Sequence, residues 1–119
     1  MHDDYVKLRK QLEEDIIKLG AELPGPMSGF ARLHRKGVED GALNRKTKEM
    51  MAVAISIATG CEGCIAYHTH DAIQAGATRE ELRETIGVAI LMGGGPASIY
   101  ATYAMKAIDQ LMASASSGE

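Results

Sequence analysis

The fold is decided by residues 44–76, NRKTKEMMAVAISIATGCEGCIAYHTHDAIQAG, which read as two helices joined by a tight corner. Asn44 is of the residue class that caps helix starts. The chain stays polar through Lys48, is almost uniformly apolar from Met50 to Ala58, broken only by Ser56, and meets a glycine stop at Gly60. A helix apolar on all sides belongs at the centre of a domain. The second helix starts at Cys61 and runs to another glycine stop, Gly76. Together they predict a central antiparallel hairpin, and all the residues of suggestive chemistry lie in it.

Working outward, the flanking sequence is also helical. Asp3 and Asp4 can cap a first helix in which Tyr5, Leu8, Leu12, Ile16 and Leu19 recur at three- and four-residue steps up to Gly20, predicting one buried face. Pro24-Gly25-Pro26 then forces a turn, and Ser28 is the expected cap of a shorter helix running to about Gly41. That helix carries Phe30, Leu33 and Val38 with Arg32, His34, Arg35 and Lys36 interleaved; the basic cluster could steer an anion, but a solvated face is the simpler reading. Beyond the hairpin, Thr78-Arg79-Glu80-Glu81 is a capping box that opens a fifth helix through Ile86 to Met92. After Gly93-Gly94-Gly95, Pro96 suits the first turn of a sixth helix with Ile99, Tyr103, Ala107 and Leu111 on one face. Residues 113–119 are small and polar and are expected to fray. The expectation is an all-α chain of about six helices, forming a single domain over residues 1–119.

Composition narrows the function classes. The chain has 119 residues, with 13 Lys and Arg against 16 Asp and Glu, a formal charge of −3, no Trp and a single Phe. At this size a lone monomer buries roughly two-thirds of its unfolded surface, and Ala, Ile, Leu, Val and seven Met must fill the core, which favours closely packed helices. A slight acidic excess with few aromatics argues against nucleic acid as a partner and leaves no stacking surface for a nucleotide or flavin. The run from Met50 to Ala58 is far short of the roughly 18 apolar residues a bilayer span requires, so no membrane partner is expected. Met1-His2-Asp3-Asp4 lacks the basic start and apolar stretch of a secretory signal, which makes the cytoplasm the expected location. In that compartment two cysteines are poor candidates for a structural staple. Met27, Met50, Met51, Met92 and Met105, with the glycine corner at 93–95, are more apolar material than a small helical monomer easily hides, which points to a homo-oligomer.

The cysteines form Cys61-Glu62-Gly63-Cys64, a CxxC at a helix start. Residues three apart on a helix have Cβ atoms roughly 5–6 Å apart, so the pair can close and reopen with little backbone movement. The unpaired amides and positive end of the helix also favour a thiolate, the nucleophilic form. His68 lies four residues after Cys64, on the same face, where it can take or return that thiol's proton. The helix end thus favours ionising Cys61 and the histidine favours Cys64, a competition that spacing alone leaves open. Glu49 stands 11 residues before Gly60 and His68 eight after it, so across an antiparallel hairpin their heights differ by only about 4–5 Å. A carboxylate at the edge of an apolar run needs a partner, and the imidazole would serve.

Simpler readings compete for each residue. Glu49 could mark the solvated end of its helix, and His68 could be a core histidine bonded to a carbonyl. Cys61 and Cys64 with His68 and His70 could be half a zinc site, but structural zinc usually draws its second pair of ligands from a separate segment and no such pair exists here. His70 points roughly 200° away from His68 around the helix.

Glu49, eleven intervening residues, Cys61-x-x-Cys64, three more and His68 resemble the signature of the AhpD-like (alkylhydroperoxidase D) branch of the carboxymuconolactone decarboxylase superfamily. The resemblance runs from about Ser28 to Ala107 and includes Gly41-Ala42-Leu43 and the Thr78 cap. It implies an all-helical fold assembled as trimers or hexamers, and a peroxiredoxin-type, antioxidant thiol peroxidase activity that needs no metal or other cofactor. It also implies that Cys64 is the peroxidatic thiolate, activated through His68 and Glu49, and that Cys61 is the resolving thiol, with hydroperoxide as substrate and an external dithiol, protein or small molecule, as reductant. The sequence departs from the best-known peroxidases of this branch at Gly63, where they carry a histidine. Two other functions fit the same resemblance less closely: lactone decarboxylation, which does not rely on a CxxC, and a non-catalytic redox-sensing oligomer.

Overall fold

The computed structural model describes residues 2–118. Five helices follow one another, α1 (Tyr5–Glu22), α2 (Pro24–Val38), α3 (Arg45–Thr59), α4 (Glu62–Gln74) and α5 (Arg79–Ser117), with no strand among the described residues. Local chemistry sets most of the boundaries. The Asp4 carboxylate accepts from the Lys7 amide at 2.9 Å and starts α1. The Asn44 side chain accepts from the Thr47 amide at 2.8 Å and starts α3, which Gly60 ends in the left-handed conformation (φ 72°, ψ 45°). At Thr78 the capping box closes in both directions: the Glu81 amide donates to the Thr78 hydroxyl, and the Thr78 amide donates to the Glu81 carboxylate.

The expected fifth and sixth helices are the two arms of α5, separated at Gly94 (φ 71°, ψ −149°). The glycine run therefore bends this element without an intervening loop. By length and composition α5 could cross a membrane; in this fold it is bent and lays Leu82, Ile86, Ala89, Ala97, Ala101, Ala104, Ala107, Ile108 and Leu111 into the core. Around it pack Val53 and Ile57 of α3, Ile65, Ala66 and Ala72 of α4, and Tyr5 of α1. With alanine so frequent along the α5 stripe, the helix axes approach closely.

Several sequence expectations are corrected. Helix α2 begins at Pro24, not at Ser28, because a proline is well suited to the first turn, where its missing N–H is not needed. Ser28 lies inside the helix and donates to the Gly25 carbonyl, and the helix ends at Val38, before Gly41. On α1 only Tyr5 is buried, while Ile16 and Leu19 remain exposed. Helix α3 is not enclosed all round, since Met51 and Ile55 face outward. In the second arm of α5, Ala107 and Leu111 are buried as expected and Tyr103 is half-buried, but Ile99 is exposed and Ala97, Ala101, Ala104 and Ile108 complete the core face: steps of four drift about 40° each, and mixing threes with fours keeps the core face. The carboxyl-terminal stretch is helical to Ser117, with Gly118 capping it, while Glu119 lies outside the described residues.

Candidate functional site

The corner between α3 and α4 builds the site. After Gly60 turns the chain, Cys61 takes the N-cap position of α4 in extended geometry. Its sulfur accepts from the Cys64 amide at 3.2 Å, in the place usually taken by a serine or aspartate oxygen. Cys61 and Cys64 are joined as a disulfide with Cα atoms 5.2 Å apart, well inside the span such a bond tolerates.

One turn further along α4, the Nδ1 atom of His68 lies 3.0 Å from Oε1 of Glu49 on α3. Glu49 is fully buried, 0% exposed. Its other oxygen, Oε2, has no hydrogen-bond partner, and the Arg45 guanidinium stands at 3.9 Å from it. The histidine side chain is only partly buried, so its ring connects an internal carboxylate to the space outside the helix pair.

That space is a cavity of about 780 Å³ between α1, α2 and α4, lined by Leu12, Ile16, Met27, Phe30, Leu33, His34, Cys61, Gly63, Cys64, Tyr67 and His68. The apolar face of α1 that the sequence assigned to the core, together with Phe30 and Leu33 of α2, thus forms the wall of an open cleft that the disulfide and His68 also line. Burial pushes the Tyr67 phenol above its usual value, helped by the nearby Asp71 charge, so it remains a hydrogen-bond donor through the neutral range. The Gly63 departure has a steric context: a Cβ at this position would lie 3.1 Å from Cδ1 of Leu12, so α1 covers the spot from which a histidine would extend.

Glu49, Cys61, Cys64 and His68 are therefore brought together, while His70 is turned away and pairs with Asp71 at 3.1 Å. Two further residues join the group. His34 of α2 lies edge-on to His68 with ring centroids 5.5 Å apart, and Asp71 contributes a carboxylate within 4.8 Å of donor atoms on His34, Glu49 and His68. His34 is not legible from its basic neighbours, which suggest a solvated face. Asp71 carries a usable signal, since it follows His68 by three residues and so shares its side of the helix.

An all-helical chain with a cysteine pair at the head of the inner helix of a central hairpin, backed by a buried carboxylate and a histidine, defines the class. The chain belongs to the carboxymuconolactone decarboxylase family, which it matches over residues 24–107 and which includes AhpD-like members. Among solved structures it is similar to apo-lpg0406 of Legionella pneumophila, a protein of this family, at 40% identity and a TM-score of 0.87, covering 92% of this chain and 98% of that one. It is also similar to the Thermotoga maritima family protein TM1620, put forward as a candidate for a role in antioxidative response, at 27% identity and a TM-score of 0.76, covering 88% and 96%. In sequence it is 40% identical over 95 residues to the uncharacterized protein H16_B0147 of Cupriavidus necator, covering 80% of this chain and 84% of that one.

Proposed function

We propose that this protein is a thiol-dependent peroxidase that cycles Cys61 and Cys64 between dithiol and disulfide. The observation that carries the proposal is the joined cysteine pair in the wall of an apolar cavity, beside a histidine held 3.0 Å from a buried carboxylate. In the reduced state His68 takes the Cys64 proton, and Glu49 orients the ring and stabilises its charged form. The Cys64 thiolate attacks the outer peroxide oxygen, the O–O bond breaks, and the leaving alkoxide receives the proton from His68, giving an alcohol and a Cys64 sulfenic acid. The Cys61 thiol then displaces water from that sulfenic acid to form the disulfide, and an external dithiol returns both thiols while becoming a disulfide itself. No step draws on a metal or organic cofactor, and the proposed setting is the cytoplasm, where dithiol donors are kept reduced. Lactone decarboxylation, the activity in the family's name, needs no cysteine pair, so the pair favours the redox reading.

The test is peroxide consumption by reduced protein supplied with an alkyl hydroperoxide and a dithiol. Wild type is expected to turn over, Cys64→Ser to lose activity, and Cys61→Ser to stop at a trapped sulfenic acid. His68→Ala should raise the pKa of the reactive thiol and slow its oxidation by about 10²-fold. The proposal fails if neither thiol is oxidised, or if both serine variants consume peroxide at the wild-type rate. A sulfenic acid that forms in Cys64→Ser, and not in Cys61→Ser, exchanges the two roles.

A further inference from the structure

Beside the redox pair, three helices bring together a set of donors that the peroxidase cycle uses only in part. His34 of α2, Glu49 of α3, and His68 and Asp71 of α4 each offer a ligand atom, and the four atoms lie within 4.8 Å of one another. Two of these groups are unsatisfied. Glu49 is 0% exposed with Oε2 unpartnered, and the Nε2 atom of His34 is likewise buried without a partner. A buried polar atom left without a hydrogen bond is costly, so two such residues in one cluster call for a shared partner. The Arg45 guanidinium does not fill that place: it approaches Glu49 only to 3.9 Å, from a half-exposed position.

We propose that His34, Glu49, His68 and Asp71 form a binding site for a divalent first-row transition-metal ion. Metal–ligand bonds to imidazole nitrogen and carboxylate oxygen run about 2.0–2.2 Å, so donors around a tetrahedral ion stand about 3.4 Å apart. Starting from within 4.8 Å, the widest pair closes by at most about 1.4 Å to bring the set onto an ion, a movement that side-chain rotation supplies. Two imidazoles with two carboxylates are a mixed nitrogen and oxygen set, suited to zinc, cobalt or ferrous ions rather than to calcium or magnesium, which take oxygen alone. The two carboxylates offset the charge of the ion. His70 holds Oδ1 of Asp71 at 3.1 Å, the outer hydrogen bond that orients a ligating carboxylate. An ion here also ties α2, which buries no residue of its own, to α3 and α4. On the peroxidase reading, Glu49 and His68 cannot ligate the ion and relay a proton at once, so the site would throttle turnover.

The experiment uses the disulfide form without peroxide, so its result is independent of whether the protein is a peroxidase. Titration with Co²⁺ should give visible d–d bands that saturate at one ion per chain, with no thiolate-to-cobalt charge-transfer band. Zn²⁺ should displace the cobalt and raise the thermal midpoint. His34→Ala and Asp71→Asn, each folded by circular dichroism, should weaken binding by about tenfold or more, while Cys61→Ser/Cys64→Ser should bind as wild type does. Absence of the cobalt bands, unchanged affinity in both His34→Ala and Asp71→Asn, or loss of binding in the double serine variant would each overturn the proposal.

Discussion

Tyr5 fastens the first helix to the redox hairpin through one short hydrogen bond. Its hydroxyl donates to Oε2 of Glu62 at 2.6 Å, and the His2 amide donates to the same oxygen at 2.8 Å. Burial pushes the Glu62 carboxyl up, but these two donors outweigh it and hold the group below its ordinary value of 4.5. Burial and the Glu62 acceptor raise the Tyr5 phenol well above its ordinary value of 10.0. The lowered carboxyl contributes stability that is present above about pH 4.5 and lost as the pH falls through its folded value; the raised phenol contributes stability that is present below pH 10 and lost as the pH rises beyond it. Tyr5→Phe should therefore cost about 1–2 kcal/mol at neutral pH and flatten both the acid and the alkaline falls in thermal midpoint. Midpoints that match wild type from pH 3 to 11 would remove this bond from the stability of the fold. The same scale shows what sequence can and cannot reveal of a site. The meeting of Glu49 and His68 is legible because both are counted from one corner, Gly60, along helices of fixed rise. His34 reaches the same point from a helix whose position depends on the cleft, which no spacing within α2 encodes, and its basic neighbours point to solvent.

At the level of elements, the legible boundaries are those in which a side chain bonds the backbone a few residues away. Asn44, Gly60 and Thr78 act locally, so their helices start or stop where the sequence indicates. Pro24 is ambiguous because the same ring that breaks a helix also begins one, and the choice rests on contacts beyond the segment. The bend in α5 is the element on which the hairpin's packing depends most. Gly94 has φ 71° and ψ −149°, a conformation closed to residues with a Cβ, and a Cβ on Gly93 would lie 2.5 Å from that of Ala97, with Ala58 of α3 also in contact. Gly94→Ala is expected to lower stability by about 1–3 kcal/mol. Gly95→Ala, where an added Cβ meets nothing within 4 Å, should be neutral or slightly stabilising. Guanidinium unfolding of the two variants decides it: equal midpoints would mean that the bend does not need a glycine at 94.

For the molecule as a whole, the apolar surface left uncovered is the dominant fact. Phe30 and Leu33 on α2 are 64% and 65% exposed, and Leu91 and Met92 on α5 are 78% and 79% exposed. A helix such as α2, with no buried residue, gains little from packing within its own chain, and short helices in water are marginal without such packing. Apolar material on this scale marks an association surface, and we propose that copies of this chain cover it. The resemblance drawn from the CxxC signature suggests three or six copies. Light scattering should then give a mass of three or six times 12.7 kDa. Leu91→Glu, placed on the most exposed face and away from the cleft, should shift that mass toward a single chain while circular dichroism stays helical, because a charge buried between copies costs far more than one in water. A wild-type mass of one chain at micromolar concentration would mean that the exposed α2 and α5 faces serve something other than self-assembly. An assembled Leu91→Glu would move the interface off this part of α5.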